Sequence, residues 1–270
     1  MTDMIKVVLV SAALTAAPAA IFAQPLTEER CPRFVAQETP RAIPVAFKLT
    51  AIEQGEVSIT YIGHSTFLIE SAAGVRIATD YNDYVRGPVV PDIATMNRAH
   101  STHYSNSPDP GIKHVLRGWG REGEPARYDL QVEDVWVRNV VTNIRDWGGG
   151  TTLHGNSIFV FESGGVCIAH LGHLHHTLTP AHIEELGRID VVLVPVDGTY
   201  TLNVDGMVEV LKQINAPLAI PMHVFSPYTL ERFLEAMGAI YETERSVSPT
   251  VIVSRATLPA KPKMLVLPGR

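Results

Sequence analysis

The stretch CIAHLGHLHHTLTP, residues 167–180, places His170, His173, His175 and His176 within seven positions. Neutral imidazole is the commonest protein ligand for borderline metals such as zinc, so this density raises the question of a bound metal. Three other segments carry histidines of the same potential. NRAHSTHYSN holds His100 and His103, LHGNS holds His154, and IPMHVF holds His223 directly after an apolar run. A hydrolytic metal centre needs ligands that converge from several strand ends and an open position where water is acidified. His175 and His176 are adjacent, so in extended chain their rings face opposite ways and at most one can join such a site. His64, after YIG, can orient a ligand or close a hairpin; His114 and His182 read as surface residues.

The elements that position these groups follow from the apolar patterning. VSITYIG, STFLIES, VRIATDY and DVWVRNVVTNI are β-rich runs, and residues 104–128, with Pro108, Pro110, Gly118, Gly120 and Pro125, read as loop. GHSTFLIESAAGVRIATD (63–80) returns as GNSIFVFESGGVCIAHLG (155–172). Each copy runs from Gly-polar-Ser through a Phe-bearing strand to Glu-Ser, a glycine turn and a second apolar strand, so two related halves are expected. Farther on, helices alternate with buried strands. PAHIEELGRI opens on Thr179 as N-cap with Pro180 behind it, VDGMVEVLKQIN is amphipathic, and SPYTLERFLEAMG opens on Ser226-Pro227. DVVLVPVDG and PLAIPMHV are buried strands, and PTVIVSRATL is a late one. Hairpins early and alternation late indicate mixed α/β layers.

Composition narrows the class. The chain has 270 residues, 46% of them hydrophobic, with a net charge of −6. That length supports a buried core, and the acidic balance without Lys/Arg runs argues against nucleic acid or an anionic membrane as partner. Residues 1–23, with Lys6, an apolar stretch from Val7 and small residues ending at Ala23, read as a cleaved export signal. A periplasmic or secreted location follows. Residues 24–54 are polar and proline-bearing and read as an N-terminal extension, followed by a folded domain over 55–270. Of the two cysteines, Cys31 and Cys167, the second lies in an apolar strand pattern and is expected as a buried free thiol, with a disulfide as the alternative.

YIGHSTFLIES with GVRIATD, a histidine motif, HGNSIFVFESGGVCIAHLG, VLVPVDG and IPMH, in that order over about residues 55–225, resemble the metallo-β-lactamase superfamily. The resemblance is to its lactonase-like metal-dependent hydrolases, which include the ascorbate-6-phosphate lactonases. It implies an α/β four-layer αββα sandwich with two pseudo-repeated halves. The family's His-x-His-x-Asp-His motif reads Arg98, His100, Thr102, His103 here when aligned on its last histidine. The resemblance places His154 as a further ligand, His173 where the family has a bridging aspartate, and His223 as the last ligand. Arginine cannot ligate a cation and repels one. With the bridging carboxylate also lost, a single-metal site of His100, His103, His154, His173 and His223 is expected. All-imidazole donors suit Zn²⁺, with Fe, Mn, Ni or Cu as further options, better than Mg²⁺ or Ca²⁺.

The expected chemistry is attack of a metal-bound hydroxide on an ester, lactone or related carbonyl of a small molecule. Asp197 is the candidate general base or the partner of a ligand histidine, and equally the start of a turn before Gly198. Arg98 is placed to hold a substrate carboxylate or phosphate. Asp80, His64 and His170 are expected behind the ligands, with His175 and His176 supporting them or nearby. The competing reading is a non-catalytic metal- or ligand-binding protein on the same fold, because the ligand motif is altered. A weaker one is a metal-free scaffold that holds an anion on Arg98 and the histidines.

Overall fold

The computed structural model describes residues 52–146 and 148–269. The expected export signal and most of the N-terminal extension lie outside the described residues. The first half holds β1 (Glu56–Gly63), β2 (Thr66–Ser71), β3 (Arg76–Ala78), β4 (Ile93–Met96) and β5 (His114–Arg117). The second opens with β6 (Asp129–Val132), β7 (Val135–Arg145), β8 (Thr151–Ser163) and β9 (Val166–His170). It continues through α1 (Pro180–Leu186), β10 (Val191–Pro195), α2 (Val204–Ile214), β11 (Leu218–Met222) and α3 (Pro227–Met237). The chain ends on β12 (Glu242–Arg245), β13 (Thr250–Ser254) and β14 (Lys263–Val266).

The strands form a six-stranded sheet, β13-β1-β2-β3-β4-β5, and an eight-stranded one, β12-β14-β11-β10-β9-β8-β7-β6. The repeated hairpin motif is real at the level of topology. β1-β2-β3 are joined antiparallel and β3-β4-β5 parallel; β7-β8-β9 and β9-β10-β11 repeat that pattern in the other sheet. Period-two alternation builds the layers. Val191 and Leu193 of β10 face the core between the sheets, packing with Ile59, Phe67, Phe159 and Phe161. Val192 and Val194 face the other way, onto Met207, Leu211, Phe233 and Met237 of α2 and α3.

All three α-helices among the described residues cover the eight-stranded sheet. On the far side of the six-stranded sheet, loops and a small cluster of Tyr81, Ala94, Met96 and Ile112 take the fourth layer. The proline- and glycine-rich stretch between β3 and β6 explains this, because it cannot sustain helical hydrogen bonding. Its reading as loop over 104–128 is corrected by β5, which pairs parallel to β4 as a sheet edge. Cys167, fully buried on β9, is disulfide-bonded, which corrects the expectation of a free thiol there. Cys31 lies outside the described residues.

Candidate metal centre

Strand ends of both sheets meet at one point. β4 leads through Asn97 to a single 3-10 turn, Ser101–His103. β9 runs out through Leu171-Gly172 to His173, and β11 ends one residue before His223. Gly172 sits at φ +60, and a Cβ there would overlap the side-chain amides of Asn97 and Asn156. Only glycine permits the turn that drops His173 into the site. Asn156 then fixes it, accepting the His173 amide N–H at 2.8 Å.

His100, His103, His173 and His223 offer ligand nitrogens that all lie within 4.8 Å of one another. His103, His173 and His223 are buried and His100 is half-buried. Two of them are oriented by carboxylates. His103 Nδ1 lies 2.6 Å from Asp80 Oδ2 and 3.1 Å from Ser65 Oγ. His223 Nδ1 lies 2.9 Å from Asp197 Oδ1. In both rings Nε2 is buried and has no hydrogen-bond partner. A buried, unpartnered nitrogen costs about 1–3 kcal/mol unless something fills its place. Here both face the cluster, and carboxylate–histidine pairs of this form are how proteins aim and enrich imidazole ligands.

The other two rings are held differently. His100 Nδ1 bonds Thr102 Oγ1 at 2.9 Å, and Thr102 in turn bonds His64 Nε2 at 3.0 Å. His100 Nε2 and His173 Nε2 are 2.9 Å apart. His173 Nδ1 contacts His175 Nε2. Burial, reinforced by the neighbouring rings, holds His103 and His173 well below the ordinary histidine range. Burial likewise pushes His64 down to about 3 and His175 to about 4. His64, His103, His173 and His175 are thus neutral at physiological pH, the form that ligates a cation. Burial pushes the Asp80 carboxyl up, against the opposing influence of His170 and the Asn97 and Ser65 hydrogen bonds. Burial also works against Asp197, but the His223 hydrogen bond and charge and the donors of Thr201 and Thr199 outweigh it and leave the carboxyl below its usual range.

Of the expected ligands, four come together. His154 does not: its Nδ1 is 2.7 Å from the Gly123 carbonyl, at the half-buried start of the long β8, and it is outside the cluster. It lies inside the irregularity between β7 and β8, flanked by the Thr142–Asn156 and Ile144–Thr152 pairs, with its backbone at φ +55. Arg98 is exposed, anchored by its backbone N–H to the Gly155 carbonyl. Asp197 combines two of its expected readings, the partner of a ligand histidine and the start of a turn, and not the third, a general base. Its carboxylate accepts the amides of Thr199, Tyr200 and Thr201, the hydroxyls of Thr199 and Thr201, and His223. With every lone pair occupied it is a ligand-orienting group and not a free base. His170 Nε2 donates to the Ser65 carbonyl at 2.9 Å, which holds the segment carrying the His103 partner. His176 accepts the Asn143 amide at 3.0 Å and stays outside.

Sequence reasoning missed Thr102, Asn97, Asn156 and Arg145. The Arg145 side chain donates to the carbonyls of Thr199, Tyr200 and Thr201, while Asp197 takes the amides of the same turn. The clamped turn presents Tyr200, 55% exposed, against Phe225, 53% exposed, with ring centroids 5.2 Å apart. Phe225 stands edge-on to His223 at 4.8 Å. An apolar wall therefore borders the histidines.

Comparison with known proteins agrees with this geometry. Residues 58–223 match the model of the beta-lactamase superfamily domain. A UPF0173 metal-dependent hydrolase of Methanoculleus marisnigri is 27% identical over 205 residues, covering 70% of this chain and 90% of the relative. Another from Salinibacter ruber is 25% identical, covering 69% and 92%. A solved Thermotoga maritima structure, assigned to zinc-dependent hydrolases of the metallo-β-lactamase superfamily, is 31% identical with a TM-score of 0.59, covering 79% of this chain and all of that one. With the paired sheets, the repeated hairpins and the converging histidines, these matches establish that the chain belongs to the metallo-β-lactamase superfamily and is related to its UPF0173 metal-dependent hydrolases.

Proposed function

We propose that this protein is an exported metal-dependent hydrolase of a small ester, lactone or related carbonyl substrate. The observation that carries the reading is the pair of buried, unpartnered Nε2 atoms on His103 and His223, each ring held by a carboxylate and both within the four-histidine cluster. Three or four of these histidines would hold one divalent metal, with zinc the best fit to the donors. Such a metal supplies a charge that acidifies water and polarises a carbonyl.

The chain's own residues do the rest. Asp80 and Asp197 keep the protons of His103 and His223 on Nδ1 and aim the opposite nitrogens inward. Burial on the strand side excludes water, and the half-exposed His100 marks the open side. Tyr200 and Phe225 offer the apolar part of a substrate a surface beside that opening. Export is supported by the signal-like residues 1–23 and by the disulfide-bonded Cys167, since disulfides persist in oxidising compartments. Among the described residues no helix is long and apolar enough to cross a membrane.

The commitment of Asp80 and Asp197 to histidines favours the second reading, a metal-binding protein without turnover, because among the described residues no free carboxylate is left in the cluster as base. One experiment separates them. The protein, purified without a histidine tag, is analysed for metal and assayed on a panel of aryl esters and lactones. About one equivalent of metal with chelator-sensitive hydrolysis supports the hydrolase; bound metal without turnover supports the binder; no uptake of zinc on reconstitution refutes both.

A further inference from the structure

The four clustered histidines are not held alike, and hydrogen-bond donors on the backbone decide the difference. The Arg145 amide N–H donates to His175 Nδ1 at 2.8 Å, and Arg145 Nε donates to the same nitrogen at 3.3 Å. A nitrogen that accepts cannot carry the proton, so neutral His175 has its hydrogen on Nε2. That Nε2 faces His173 Nδ1, which must then be the acceptor. Neutral His173 therefore carries its hydrogen on Nε2, the atom that points into the cluster. Its partner there is His100 Nε2 at 2.9 Å, and His100 in turn has its Nδ1 on Thr102 Oγ1. Carboxylates lock His103 and His223 the opposite way, with the hydrogen on Nδ1 and the inward Nε2 bare.

Distance excludes His100 and His173 as joint ligands in this arrangement, and the proton assignment says which of the two gives way. Two nitrogens on one tetrahedral zinc, each at about 2.0–2.1 Å, lie roughly 3.3 Å apart. The 2.9 Å between His100 and His173 is a hydrogen-bond separation. For His173 to ligate through Nε2 as a neutral ring, its hydrogen would move to Nδ1. His175 would then have to accept on both nitrogens at once, which a neutral imidazole cannot do.

We infer that His103, His223 and His100 form a three-histidine metal centre, the metal taking the His100 Nε2 lone pair that His173 holds in its absence, and that His173, released from that bond, is the centre's hydrogen-bond donor, presenting Nε2–H to an oxygen of the substrate, with His175 and Arg145 as positioning residues. This rests on the metal-centre reading above. A fixed N–H beside a polarised carbonyl stabilises the negative charge that develops on oxygen during acyl transfer. It also explains how the site works without a carboxylate at position 173: an acceptor has been replaced by a donor.

The test is long-range ¹H–¹⁵N correlation of histidine-labelled protein, metal-free and loaded with ¹¹³Cd, with His173 signals assigned by their loss in His173→Gln. The expected result is an Nε2–H tautomer for His173 in both states and ¹¹³Cd–¹⁵N coupling to three other rings only. In metal titrations, His173→Gln loses less than about tenfold in affinity, while His103→Ala and His223→Ala lose more than about 100-fold. Cadmium coupling to His173, or a His173→Gln variant as weak as His103→Ala, overturns the inference and leaves the metal centre standing with four ligands. Failure of the wild type to take up metal refutes the underlying reading instead. In that case an Nδ1–H tautomer of His173 in the metal-free protein overturns the hydrogen-bond assignment as well.

Discussion

Replacing Asp80 by Asn removes one charge and changes almost nothing else, which makes it the sharpest probe of the carboxylate–histidine pairs. Asp80 is fully buried with φ +41, a backbone region asparagine tolerates better than most residues, so added strain is small. One oxygen accepts from Asn97 Nδ2 at 3.0 Å and the other faces His103 Nδ1 at 2.6 Å. Asn97 cannot turn over to adapt, because its own Oδ1 accepts the Ser157 amide at 2.8 Å. An asparagine at 80 therefore has two orientations, and each fails somewhere. With its oxygen toward His103, two NH₂ groups face one another. With its NH₂ toward His103, the His103 proton moves to Nε2 and the inward lone pair is lost. Either outcome leaves a buried bond unmade, costing about 1–3 kcal/mol of folding stability. Metal affinity should fall roughly 10–100-fold, the usual effect of losing such a partner. Competition against a chromophoric chelator reads the affinity, and urea melts of the metal-free protein read the stability. Affinity within about twofold of wild type would refute the claim that Asp80 sets the His103 proton.

The Gly172→Ala variant should lose more than about 2 kcal/mol, since left-handed backbone and overlap with Asn97 and Asn156 add together; thermal melts check it, and a near-neutral effect would contradict the packing described. The His154→Ala variant should keep its full equivalent of metal, because its ring bonds the Gly123 carbonyl outside the cluster; loss of metal on elemental analysis would restore it as a ligand. In an active hydrolase, Phe225→Ala should raise KM for substrates with an apolar group by about tenfold with kcat changed less, as expected for lost apolar contact; an effect confined to kcat would speak against the wall as a binding surface. The metal-free protein should lose stability as pH falls below 6.5. His64 and His175 are depressed to about 3 and 4, so between those values and 6.5 the unfolded chain binds protons that the folded one refuses. Each buried ring contributes up to about 1.4 kcal/mol per pH unit, with less for the half-exposed His64 and His175. Asp80, raised by burial, works in the opposite direction. Urea midpoints measured with chelator at pH 7.5, 6.5 and 5.5 check the balance; stability that rises toward acid would show that the histidines do not dominate it.

Much of this protein was legible before folding was considered. The helices α1, α2 and α3 carry their own start signals in Thr179, Asn203 and Ser226, and period-two alternation marks strands such as β7 wherever one face is buried. The hairpin repeat was readable because both copies solve the same local problem, a strand pair around a glycine turn. β5 was hidden: HVLR is short, lies among glycines and prolines, and is a strand only because β4 runs beside it.

The site divides along the same line. Residue type and order marked His100, His103, His154, the His170–His176 cluster and His223 as candidate ligands, and the family resemblance selected His173 within that cluster. Exclusion of His154 was decided by tertiary structure, which places its ring on the Gly123 carbonyl at an irregular stretch of the β7–β8 pairing. So were the conversion of Thr102 into a link between His64 and His100 and the assignment of each imidazole proton. A proton's position on a ring depends on what the other nitrogen touches. For His103 and His223 that is a carboxylate, and for His173 it is His175, itself fixed by a backbone amide of β7. Those partners are brought together only when the two sheets close.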